Sequence, residues 1–178
     1  MAERFVFDHC RGSNPAMHDS CPREVSAAGM VVAVCSCSCH AGPRVRRAAC
    51  PSCPYRLDVP SGVWHPDEYA KLPPYDEPTA EQPLAAFCCH ASPDEFCHGW
   101  AVVGSSRGAE FDLLALRLAT IVAGQRIEVP APSVPLFASG AEAAAHGLAD
   151  VLAPGDDADR VRDRLVRAYP RLRPEDSL

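Results

Sequence analysis

Cys50-Pro-Ser-Cys53-Pro-Tyr-Arg56 sets two thiols three positions apart in a proline-punctuated turn, and Cys89 and Cys97 follow 36 and 44 positions after Cys53. That spacing lets both sulfurs face one ion while the intervening backbone N–H groups soften their negative charge, the arrangement that recurs in tetrahedral zinc sites. A second pair at the edges of a hairpin loop closes the tetrahedron. Four thiolates with no open position make a structural site, and its binding energy stands in for the hydrophobic core that the cysteine-bearing part of the chain lacks. The expectation is therefore Zn2+ held by Cys50, Cys53, Cys89 and Cys97, with an iron–sulfur cluster as the alternative that the same ligands admit. Cys88, Cys89 and His90 are consecutive. On a strand running through Phe87, Cys88 and Cys89 face opposite ways, so only one of them serves this ion. A thioredoxin-like redox pair is the weaker reading, because the residues before the turn, Arg44-Val-Arg-Arg-Ala-Ala49, are not the buried strand that fold places there.

Toward the amino end the cysteines continue less regularly. Met30 to Cys39 alternates so that Cys35, Cys37 and Cys39 share one strand face, and Cys37-Ser-Cys39-His40 sets a cysteine and a histidine at two-residue spacing. With Cys10 and the His18-Asp-Ser-Cys21 pair there are more ligands than one ion needs. Cys10, Cys21, Cys37 and His40 are expected around a second zinc, with Cys35, Cys39 and His18 as substitutes, giving one or two Zn2+ per chain. Cys37-Ser-Cys39-His40 has the look of one Rieske box, but its partner Cys-x-His box is missing.

Beyond Cys97 there is no cysteine, and the pattern turns helical. Phe111, Leu114, Leu118, Ile121 and Val122 recur at helical spacing and predict a buried amphipathic face ending at Gly124. Ser139-Gly-Ala-Glu142 has capping-box spacing, and Asp156 or Asp157 starts a last helix carrying Val161, Leu165 and Tyr169, with Asp156/Arg160 and Asp163/Arg167 spaced as ion pairs. These helices read as scaffold, dispensable for the metal, and Val129 to Pro135 as an extended linker. In the middle, Pro66 opens a short helix through Leu72, while Leu84 to Cys89 and Trp100 to Val103 read as two strands joined by a loop. Trp64, Tyr69, Tyr75 and Phe87 form the small core around the ion. The fold class is α+β: a zinc-stabilised β-hairpin or knuckle region followed by C-terminal helices. Its parts are a cysteine-rich N-terminal knuckle over 1–42, a central zinc-binding domain over 43–125 and a helical extension over 126–178.

At 178 residues the chain holds one modest domain with a small appendage. No apolar run approaches the roughly 18 residues of a membrane span, and the amino end lacks the basic-then-apolar layout of a secretory signal. A cytoplasmic location follows, where reducing conditions keep ten cysteines as thiolates or ligands. A net charge of -6 excludes the broad footprint of a nucleic-acid binder. The local exception is Arg44, Arg46, Arg47 and Arg56 around the Cys50/Cys53 turn, read first as a solvated surface and second as a contact for a protein or nucleic acid. With no Ser/His/Asp, glycine-rich phosphate or paired-carboxylate motif, a non-enzymatic interaction module is favoured over a cysteine-based redox or iron–sulfur protein.

The central block carries a wider pattern: Cys50-Pro-Ser-Cys53-Pro-Tyr-Arg56, Gly62-Val-Trp64, Glu68-Tyr-Ala-Lys71-Leu, Tyr75-Asp76, Gln82-Pro83, Phe87-Cys-Cys89-His90, Cys97-His-Gly99-Trp100 and Leu114-Ala-Leu-Arg117-Leu-Ala119. Together these resemble a family of uncharacterised cysteine-rich proteins, common in actinobacteria and phages and catalogued as a domain of unknown function, over about residues 48 to 125. Its Phe-x-Cys-His pattern implies Cys89 as the ligand and puts Cys88 at a variable position; it implies no activity. The amino-terminal Cys-x-Cys-x-Cys-His run is similar to short cysteine-rich segments of the same organisms and implies a fused second metal knuckle.

Overall fold

The computed structural model describes residues 42–169 in full and, before them, the backbone of residues 3–5, 24–27 and 30–35. The chain divides into two compact units, Met1–Gly42 and Pro43–Leu178.

In the first unit the β-branched run at Met30–Cys35 forms β3, the middle strand of three. Strand β1, Glu3–Phe5, runs parallel to it with Phe5 opposite Cys35, and β2, Glu24–Ala27, runs antiparallel with a register shift between Val25 and Ser26. The expected ligands Cys10, Cys21, Cys37 and His40, with His18 and Cys39, lie outside the described residues.

The second unit is mixed α+β: among the described residues it has five α-helices and one two-stranded antiparallel sheet. Helix α1, Pro66–Ala70, starts at the predicted proline, with His65 Nδ1 accepting from Asp67 N. Strand β4, Cys88–Cys89, pairs with β5, Ser92–Phe96, and helix α2, His98–Ser105, follows at once. This corrects the predicted strand pair. Trp100 to Val103 is helical, and the partner of β4 lies inside what reads as a loop. Trp100, Ala101, Val103 and Gly104 are all buried, so α2 shows neither helical nor strand periodicity, and its Trp and Val residues carry the β-like composition that misleads. Arg44 to Arg46 adds to β5 on its other side, with Arg46 N donating to Phe96 O (3.0 Å) and Phe96 N to Arg44 O (2.9 Å).

Helix α3, Leu114–Ala123, ends at left-handed Gly124 as predicted, but its buried face differs. Leu113, Ala115 and Leu116 are buried, while Ile121 and Val122 are 74% and 87% exposed. Gln82 fixes the helix start. Its Oε1 accepts from Leu114 N and its Nε2 donates to Glu77 O and Phe111 O.

Helix α4, Gly140–Leu148, begins on the Ser139 cap, whose hydroxyl accepts from Glu142 N; Glu142 Oε2 in turn accepts from Ala138 N. Its small-residue face lets it lie against α1: a Cβ on Gly147 would overlap the Tyr69 ring. Helix α5, Asp156–Ala168, pairs Arg160 with Asp157, rather than with Asp156, and Arg167 with Asp163 (3.9 Å). Ala143, Ala144, Ala158 and Leu165 of these two helices join Val63, Trp64, Tyr69, Leu72, Tyr75, Phe87 and Trp100 in one core. Residues 135–137 form a seam along the turn that follows Cys53, with Leu57 N donating to Pro135 O and Phe137 N to Tyr55 O. Among the described residues no helix is long and apolar enough to cross a membrane.

Candidate metal centre

The Cys50 to Arg56 segment folds as two successive turns, Cys53 N donating to Cys50 O and Arg56 N to Cys53 O, both at 3.0 Å. Pro51 and Pro54 pre-set the backbone angle and offer no N–H that would compete. From across the core, Trp64 Nε1 donates to Ser52 O at 2.8 Å, while Trp64 N donates to Tyr69 Oη at 3.1 Å. Trp64 thus ties the cysteine turn to α1, by its indole on one side and its backbone N–H on the other. Arg56 holds Asp58 with a two-pronged fork (2.7 and 2.5 Å) and directs a further N–H at Cys50 O (3.5 Å).

The other two cysteines come from the hairpin. Cys89 closes β4, and Cys97, just past β5, is the N-cap of α2, its N–H donating to Phe87 O at 2.7 Å. Cys50, Cys53, Cys89 and Cys97 are 3, 0, 2 and 3% exposed, which leaves no approach for a substrate, and all four are free thiols. Cys53 Sγ and Cys97 Sγ lie 3.7 Å apart. A disulfide would bring them to about 2.05 Å, whereas four sulfurs at about 2.3 Å from a shared ion stand about 3.8 Å from one another. The Cys50 thiol lies near enough to those of Cys53 and Cys89 to influence their ionisation, and its Sγ stands 3.8 Å from Ser52 Oγ. Among the described residues no group of three or more His, Cys, Asp or Glu side chains is placed so that it could hold a metal ion.

The backbone at Tyr55 favours the Cys53 thiolate and the backbone at Ala91 the Cys89 thiolate, each from two residues further on. Crowding opposes them. The Cys50 thiol is raised by its contact with Cys53, with burial adding to it against the opposing contact with Cys89. At Cys53 the contact with Cys50 lowers, but Cys97 and burial outweigh it and push the thiol well up. Cys89 is raised by Cys50 and then by burial. Buried sulfurs packed this closely ionise together only around a cation, whose charge inverts the balance.

Gly99 makes the packing feasible. A Cβ there would stand 2.8 Å from Cys53 Sγ and 2.6 Å from Tyr55 Cβ, so only glycine lets the first turn of α2 lie against the cysteine turn. Neither this nor the Trp64 to Ser52 bond is evident from ligand spacing; the one available signal was a glycine two residues after a cysteine. The remaining polar residues are engaged elsewhere. Cys88 is exposed, its Sγ 3.9 Å from Ala86 O. His90 bonds Glu68 and stacks on Trp64. His98 is buried, its Nδ1 donating to Arg46 O at 2.9 Å, and among the described residues its Nε2 has no partner. Three arginines of the expected contact patch are neutralised locally, Arg44 and Arg46 by Glu95 (2.8 and 3.6 Å) and Arg56 by Asp58.

Compared with known proteins, the chain matches the model of a family of unknown function, DUF6283, over residues 45–167. No curated protein and no solved structure matches it.

Proposed function

The chain belongs to DUF6283, a family of unknown function, so any activity must be read from its own residues, and we propose that it is a zinc-binding protein whose ion is structural. Cys50, Cys53, Cys89 and Cys97 hold one Zn2+, a second sits at Cys10, Cys21, Cys37 and His40, and the chain works in a reducing cytoplasm as a non-enzymatic interaction module. The observation that carries this reading is that the four thiols of the turn, the strand and the helix cap are all buried and free, with the Cys53 to Cys97 edge at 3.7 Å. Burial also argues for structure over redox catalysis, since a reactive Cys-x-x-Cys pair needs an exposed, electropositive setting. An edge this short fits a single ion between the sulfurs.

Plasma mass spectrometry on the untagged, full-length chain tests the proposal. Zinc close to two per chain is expected, or one if the amino-terminal set does not bind, from a colourless protein. Iron with acid-labile sulfide would replace zinc by a cluster, and a metal-free folded protein would remove the reading.

A further inference from the structure

We draw no further inference here: the strongest candidate, the exposed apolar stripe of Leu118, Ile121 and Val122 along α3, carries none because nothing in the structure shows what covers it.

Discussion

Replacing Cys53 by serine separates a metal-held fold from one that merely buries its thiols. Cys53 is wholly buried, with its Sγ 3.7 Å from that of Cys97. If its surroundings were only packing, the substitution would bury a poorly partnered hydroxyl, costing about 1–3 kcal/mol. At roughly 2–4 °C per kcal/mol that lowers the melting temperature by about 2–12 °C. If Cys53 is one of four zinc ligands, the cost is of another order. Serine stays protonated near neutral pH and ligates zinc poorly, so the site forfeits much of a binding free energy of about 10–16 kcal/mol. A domain has about 5–15 kcal/mol in all, and Cys53→Ser should therefore leave Pro43–Leu178 unfolded at room temperature. Cys88→Ser is the internal control, since an exposed residue outside the cluster should change stability by about 0.5 kcal/mol or less. Circular-dichroism melts with zinc stoichiometry on both variants decide the matter. A folded Cys53→Ser protein that melts within about 12 °C of the parent and keeps its zinc refutes the ligand assignment, as does a Cys88→Ser protein that loses both.

Asp76→Ala should cost about 2–4 kcal/mol in urea unfolding, because its carboxylate accepts from Gly140 N (2.9 Å) and Ala141 N (2.7 Å) at the start of α4 and from Arg107 Nη1 (3.0 Å); a loss below about 0.5 kcal/mol would deny it that role. Glu68 is held down to about 2, first by its hydrogen bond from His90 and then by Lys71. A depressed carboxyl stabilises above its unfolded value of about 4.3 and loses that contribution as pH falls toward the folded one. Melting temperatures between pH 5 and pH 2 should thus fall less steeply for Glu68→Gln than for the parent, and parallel curves would count against the pairing. Truncation after Gly124 should yield an unfolded fragment, contrary to the reading of the late helices as dispensable, because it removes five buried core side chains and the Gly62 to Gly147 and Arg162 to Val63 bonds; a fragment with native circular dichroism and bound metal would reverse this.

The elements that could be read from the chain were those whose ends carry their own chemistry. Pro66, the Ser139/Glu142 cap and Gly124 mark helix limits by local hydrogen bonding and backbone angle, and each stands where the residues place it. Where identity depends on what lies opposite, the pattern fails. Helix α2 is buried on almost every side, so nothing in Trp100-Ala-Val-Val103 distinguishes it from a buried strand. In α3 the predicted stripe is apolar and largely exposed, because Leu113 and Leu116 fill the core instead. Apolar spacing locates a helix; which of two apolar faces turns inward is settled by the elements packed on it.

The same division runs through the candidate site. A pair of cysteines three apart is a local signal, and it forms the turn that its spacing implies. Strand alternation lets only one of Cys88 and Cys89 serve and the resemblance points to Cys89; burial separates the two, Cys89 at 2% and Cys88 exposed. What positions the cysteine turn, however, is carried by residues that are not thiols, Trp64 tethering Ser52 and Gly99 yielding space to Cys53, while Gln82 and Asp76 tie distant segments to the starts of α3 and α4. Each acts at a separation of 12 residues or more in the chain, as Trp64 does on Ser52, so no window of sequence contains both partners. Candidate ligands are thus legible in short motifs, whereas their placement is a property of the whole unit, which is why substitutions at Gly99 or Trp64 should disturb the cysteine turn without removing a single sulfur.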